Sequence, residues 1–186
     1  MFQRLAIPEV FIFTPRRFED DRGWFAETFN QSLMGAETGP LNWVQDNHSL
    51  SRSRLTLRGL HYQEPPFAQD KLVRCLRGRI RDVAVDIRRG SPTFGQHVSA
   101  ELTAEKGEQL FVPKGFAHGF LTLEPDPEVA YKVTAFYSSA HDRGLRWNDP
   151  ALGIDWRTAG GGVSLSAKDR DLPPLAELPA VFTYRG

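Results

Sequence analysis

Along most of this chain, short apolar runs are separated by turn residues, the pattern of many short strands and not of long amphipathic helices. "VFIFT" (10–14) predicts one strand and "WFAETF" (24–29) another, with "EDDRG" (19–23) as the turn between them. Asn30 is placed to cap a short helix through "QSLMG", ended at Gly35. "LNWVQDNHSLS" (41–51) and "LTLRGLHYQ" (55–63) read as extended, and "EPPF" (64–67) interrupts the pattern. "KLVRCLRGRIRDVAVDIR" (71–88) predicts a hairpin turning at Gly78. Its second arm sets Val83, Val85 and Ile87 against Ala84, Asp86 and Arg88, the period of a half-buried strand.

"HVSAELT" (97–103) and "EQLFV" (108–112) follow, joined through the turn "EKG". "HGFLTLE" (118–124) and "EVAYKVTAFY" (128–137) are separated by "PDP". The last 45 or so residues lose this period and contain a "GGG" break at 160–162 and a Pro-rich end. They are expected to be loops and short helices packed over the strands, anchored by Trp147 and Trp156. The whole, residues 1–186, reads as a single all-β domain.

Two polar side chains stand on apolar lines. His61 shares the parity of Leu55, Leu57 and Gly59, with Arg58 pointing the other way. Tyr131 shares the parity of Val129, Val133 and Ala135. Either could be a core side chain satisfied by hydrogen bonds, or a reactive group aimed into an interior.

Composition narrows the function classes. With 40% hydrophobic residues in 186, the chain can bury a substantial core. Lys plus Arg equals Asp plus Glu at 23 each, which argues against a generic nucleic-acid binder but leaves room for a small anionic ligand. The single Cys75 allows no intrachain disulfide and fits a reducing compartment. No stretch has the length of a membrane span and the start has no signal-type apolar region, so a cytoplasmic protein away from membranes is expected.

"GEQLFVPKGFAH" (107–118) resembles the second conserved box of the cupin fold, a double-stranded β-helix or jelly-roll barrel. The resemblance makes Gly107, Pro113 and Gly115 turn residues and points His118 inward. Many cupins hold a metal through a His-x-His pair, a Glu and that last His. Here Gln63 stands where the second His would be, and Thr122 where the box usually ends in Asn. Two imidazoles leave most of a coordination shell empty, so no metal is expected.

Further runs sharpen the resemblance: "FEDDRGWFAETF" (18–29), "QDNHSLS" (45–51), "LRGLHYQ" with Lys71, "FVPKGFAHGF" (111–120), "YKVTAFY" (131–137), "DRGLRWNDPALGIDW" (142–156) and "LSAKDRDLP" (165–173). In this order they resemble the dTDP-4-dehydrorhamnose 3,5-epimerases, cupins that invert C3 and C5 of a 4-keto-6-deoxyhexose joined to dTDP. The resemblance implies that His61 is the base, Asp169 its orienting carboxylate, Lys71 the cation for the enolate and Tyr131 the acid at C5. It places His118 and Arg58 at the sugar and diphosphate. Around the nucleotide it places Arg22, Glu27, Gln45, Asp46, Asn47 and Lys168, with Phe18 and Phe25 to stack on thymine. It also implies a homodimer whose interface can supply some of these contacts, and no organic cofactor, since the ketone is already the electron sink.

Two positions depart from the family pattern. A common Tyr pair is Phe136–Tyr137, which keeps the second hydroxyl, and Asp142 replaces a frequent Glu. Neither touches the base or the acid. The alternatives are a 3-only or 5-only epimerase of a deoxysugar pathway, a non-catalytic sugar-nucleotide-binding cupin and, weakened by Gln63, a metal-dependent oxygenase.

Overall fold

A computed structural model describes residues 1–185. Near the N-terminus, β1 (Phe2–Arg4) and β2 (Phe11–Phe13) precede a separate two-stranded hairpin, β3 (Arg17–Asp20) with β4 (Gly23–Ala26). The expected strand at 24–29 is therefore the shorter second arm of a hairpin whose first arm the polar run "RFED" conceals. Asn30 caps α1 (Gln31–Thr38), its side chain accepting from the backbone N–H groups of Ser32 and Leu33. The helix does not stop at Gly35, where nothing crowds the helical backbone. It ends at Gly39, whose φ of 73° lies where glycine alone is unstrained.

Then come β5 (Gln45–Leu50), β6 (Leu57–Gln63), β7 (Lys71–Arg77), β8 (Arg79–Asp86), β9 (His97–Thr103), β10 (Gln109–Val112), β11 (Phe116–Thr122) and β12 (Glu128–Val133). A short β13 (Asp142–Gly144) and helix α2 (Ala167–Arg170) lie in the tail, where the sequence showed only loops and short helices. One sheet has the order β1-β2-β10-β7-β12-β5 and the other β13-β6-β11-β8-β9. From β5 to β8, and again from β9 to β12, the chain alternates between the two, which makes the double-stranded β-helix expected from the cupin resemblance.

That alternation corrects the hairpin expected over 71–88. β7 and β8 do not pair with each other: β7 pairs with β10 and β12, and β8 with β11 and β9. Gly78, at φ 74°, carries the chain across the barrel edge from one sheet to the other.

The barrel interior is filled by Ile80, Ala84, Val98 and Leu102 from one sheet and Val73, Leu110, Val112 and Val129 from the other. β8 is not half-buried as its alternation suggested. Its second face, Val83, Val85 and Ile87, is covered by the tail through Leu145, Leu152, Trp156 and Leu178, with Trp147 packed alongside. Each such fully buried aliphatic side chain contributes about 1.5–3 kcal/mol, so the tail is an outer layer of the fold. Met34 of α1 seals Phe11, Leu72 and Phe111 on the back of the six-stranded sheet. Among the described residues no helix is long and apolar enough to cross a membrane.

Candidate active site

One irregularity aims the central histidine. Across β6 and β11, His118 pairs with His61 and Phe120 with Arg58, so the single residue Gly119 opposes both Gly59 and Leu60. The extra residue is a bulge, and it reverses the side-chain parity of the rest of β6. Leu55 and Leu57 therefore pack with Leu60 and Tyr62 under the tail, while His61 turns to the cavity beside Arg58. The parity argument that put His61 on the leucine line is corrected here: residues 58 and 61 share a face. Two glycines make the bulge possible. A Cβ on Gly59, at φ 132°, would lie 2.5 Å from Gly119 Cα, and one on Gly119 would lie 2.8 Å from the Arg58 carbonyl oxygen.

The cavity, of about 550 Å³, lies at one mouth of the barrel. His61 and His118 line it from the five-stranded sheet, and Lys71 and Tyr131 from the six-stranded sheet opposite. Lys71 and Tyr131 share the inner parity of Val73 and Val129. Arg58 stands at the rim, its guanidinium donating to Ser51 Oγ at 3.0 Å and to the Leu50 carbonyl at 3.1 Å.

Asp169 reaches the cavity from α2. Ser166 caps that helix by accepting from the Asp169 N–H at 3.1 Å. The Asp169 carboxylate, 4% exposed, is held 2.6 Å from His61 Nε2. Burial pushes this carboxyl upward, but the bonds from His61, Ser166 and the Gly59 N–H outweigh it and leave it below its ordinary value. Asp169 is thus an anion at neutral pH, and His61 presents Nδ1 to the cavity. A similar pair lies beside it: His118 Nε2 is 2.5 Å from Asp82 Oδ1, both side chains buried.

Lys71 is 8% exposed and its ammonium makes one long bond, 3.4 Å to the His61 carbonyl. Burial lowers it to about 8, against the opposing pull of Asp142 and Asp82. Tyr131 is raised above its ordinary value by burial, with Arg58 pulling it down and Asp142 adding to the rise, so it remains a phenol at neutral pH.

A second compartment of about 130 Å³ shares Asn47, His61, Lys71 and Tyr131 with the first. Gln45 fixes its wall, donating to Asn47 at 2.8 Å and accepting from the Tyr137 N–H at 3.0 Å. Asp142, on β13, accepts from Tyr137 Oη at 3.1 Å and from Lys168, linking the exposed Tyr137 to α2 across the opening.

Gln63 spends its amide on the chain itself, donating to the carbonyls of Phe67 and Phe136 and accepting from the Ser138 N–H. Gln63 is therefore tied to the backbone, and of a cupin metal's usual ligands the cavity keeps two imidazoles, His61 and His118. No group of three His, Cys, Asp or Glu side chains converges among the described residues.

Five of the sequence-predicted residues lie elsewhere. Phe18, Arg22 and Phe25 belong to the β3–β4 hairpin; Phe18 and Phe25 are 52% and 70% exposed, and Arg22 is bonded to Asp20. Glu27 accepts from Asn30 at the start of α1. Asp46 points away from the cavity, paired with Lys132 at 2.9 Å. Conversely, Asp82 was missed. Its parity with Ala84 and Asp86 read as the solvent side of a half-buried strand, whereas that side faces the barrel interior.

An imidazole backed by a carboxylate on one wall faces a phenol and an ammonium on the other. Such a set can take a proton from one face of a carbon acid, hold the resulting oxyanion and return a proton to the opposite face. The model of the family described as dTDP-4-dehydrorhamnose 3,5-epimerase matches residues 4–177. A protein of that name from Sinorhizobium fredii is 55% identical over 183 residues, covering 98% of this chain and 93% of its own. The crystal structure of dTDP-6-deoxy-D-glucose-3,5-epimerase from Legionella pneumophila, in complex with dTDP-4-keto-L-rhamnose, superposes with a TM-score of 0.95 at 41% identity, covering 100% of this chain and 99% of that one. A 3′-monoepimerase from Streptomyces bikiniensis, in complex with dTDP-quinovose, superposes with a TM-score of 0.87 at 33% identity, covering 93% and 87%.

Proposed function

This chain belongs to the dTDP-4-dehydrorhamnose 3,5-epimerase family, and from that premise we propose that it inverts C3 and C5 of dTDP-4-dehydro-6-deoxy-D-glucose to give dTDP-4-dehydro-L-rhamnose. His61 takes the proton from the carbon beside the ketone, and Asp169 holds the ring and balances its charge. The electron pair moves to O4, where the Lys71 ammonium meets the enolate. Tyr131 returns a proton at C5 from the opposite wall, the enolate carbon taking it and the ketone re-forming. The observation that carries this reading is the placement of His61 and Tyr131 on opposing sheets of one cavity. Arg58, His118, Asn47, Gln45 and Lys168 bind the sugar and the diphosphate, with Tyr137 and Asp142 at the opening.

The protein works as a cytoplasmic homodimer in this reading. The β3–β4 hairpin pairs with neither main sheet and exposes Phe18, Trp24 and Phe25. Presented to a second copy, it brings Phe18, Arg22 and Phe25, with Glu27 just beyond it, to the nucleotide end of the partner's cavity. Asp46, paired with Lys132 at the β5 edge of the six-stranded sheet, adds to that seam in this reading.

The resemblance to a monoepimerase keeps a single-centre reaction as the second reading. Incubation with dTDP-4-keto-6-deoxyglucose in D₂O, followed by NMR of the sugar, separates them. Deuterium with inversion at C3 and C5 is the expected result. Inversion at one centre establishes the second reading, and no label with dTDP bound leaves a binding protein.

A further inference from the structure

The two histidines of the cavity are each bonded through Nε2 to a buried aspartate, but the two aspartates are held differently. Asp169 receives His61, Ser166 and the Gly59 N–H. Its charge is spread over three donors, so it tolerates a neutral or a charged His61, as a base that cycles requires. Asp82 is fully buried, and among the described residues its Oδ1 accepts from His118 while its Oδ2 has no partner. A fully buried carboxylate with a single protein donor is costly, and a positive charge on that donor is the most direct way to offset the cost.

From this contrast we propose that Asp82 is a positioning residue that holds His118 as an imidazolium, so that the Nδ1–H of His118 is a standing hydrogen-bond donor to a sugar oxygen next to the reacting carbons. The inference rests on the reading of the cavity as an epimerase site. In the strand register His118 lies directly opposite His61, and Asp82 lies opposite Phe120, two residues along the same face. Directly opposed residues have Cβ atoms roughly 4.5–5.5 Å apart, so the two rings are neighbours on one wall. Other charged or titratable groups line this cavity: His48 on β5, Arg58 and His61 on β6, Lys71 on β7, Tyr131 on β12, Lys168 and Asp169 on α2, and Asp142 on β13. The ammonium of Lys71 also draws on Asp82, but it makes no bond to it.

The consequence is a division of labour between two pairs that look alike. His118, already protonated, does not compete with His61 for the carbon-bound proton. It offers fixed positive charge where the enolate grows.

The test reads the charge directly, by ¹⁵N NMR of the histidine ring nitrogens in the full-length protein saturated with dTDP. At about pH 8, well above an ordinary histidine value, His118 is expected to carry protons on both nitrogens. Asp82→Asn should return it to the neutral ring at the same pH and lower kcat about 10²-fold, the scale of one lost transition-state donor, while dTDP affinity stays within about threefold. A neutral His118 in the wild-type protein at this pH overturns the proposal, and that measurement needs no variant to fold. So does an Asp82→Asn protein with wild-type kcat, or one that loses only thermal stability with His118 still charged. If the wild-type protein exchanges no deuterium at C3 or C5, the epimerase reading fails on its own, and the spectrum still decides the charge of His118.

Discussion

The cavity wall and the β3–β4 hairpin carry residues that one family resemblance assigns to one ligand, yet only the wall is assembled within a single chain. His61, Lys71, His118 and Tyr131 come from four strands of two sheets and meet inside about 550 Å³, with Lys71 and His118 buried. Phe18, Arg22 and Phe25 sit on a two-stranded ribbon that shares no hydrogen-bonded strand with either sheet. The difference is one of burial. Groups that change proton affinity, such as Lys71, need a low-dielectric interior to do so. Groups that grip a diphosphate or stack on a base need reach, and an exposed hairpin has it.

The sharpest division between the two regions is expected in kinetics. His61→Ala should abolish measurable turnover, a loss of at least about 10²–10⁴-fold for a general base, while dTDP binding measured by calorimetry is nearly unchanged. Retained activity would remove His61 from the chemistry.

Lys71→Ala is expected to lower kcat by about 10²–10³-fold with little change in nucleotide affinity. The sign of its pH dependence follows from burial. With Lys71 at about 8, the ammonium is present at neutral pH and disappears as pH rises through that value. The wild-type kcat should therefore fall above about pH 8, and a flat profile to pH 9.5 would contradict the role.

On the hairpin, Arg22→Ala should raise KM or the dTDP dissociation constant by about tenfold, one charge-assisted contact, and leave kcat nearly intact. Mixing chains tests the dimer itself. A heterodimer of His61→Ala and Arg22→Ala chains has one intact site if the hairpin serves the partner, and that site should work at about half the wild-type kcat with the wild-type KM. The raised KM of Arg22→Ala in an isolated heterodimer would put the hairpin to work in its own chain.

The smallest effect concerns the joint that turns His61 to the cavity. Gly119→Ala drives a Cβ into the Arg58 carbonyl and Gly59, at 2.8 and 3.0 Å. A destabilisation of about 1–3 kcal/mol, the usual cost of overpacking, should appear in thermal melts, with a fall in kcat as His61 is displaced. The hairpin, which does not touch this joint, should still bind dTDP.

Much of this was legible before any coordinates. The turn residues, the short apolar runs and the Asn30 cap locate nearly every barrel strand and the helix start, because turn chemistry and capping are local. His61, Lys71, Tyr131, Asp169 and His118 stand in motifs that name them, and all of them line the one cavity. The hidden parts have specific reasons. "RFED" is a strand with one apolar residue, Phe18, and that one is exposed, so no alternation marks it. Val83, Val85 and Ile87 read as one buried face with Asp82 and Asp86 outside, because a two-residue period cannot tell a half-buried strand from one covered on both sides.

By itself, then, the sequence determined which residue types are available for chemistry, where the chain turns and that the fold is built from strands, all properties set within a few residues. The tertiary structure decided which sheet each strand joins, and so that Gly78 crosses between sheets instead of closing a hairpin. It decided that a bulge turns His61 from the leucines to the cavity, and that Asp82 stands behind His118 in the interior. Register and burial depend on partners far along the chain, and a pattern of alternation carries no record of which partner lies on either face.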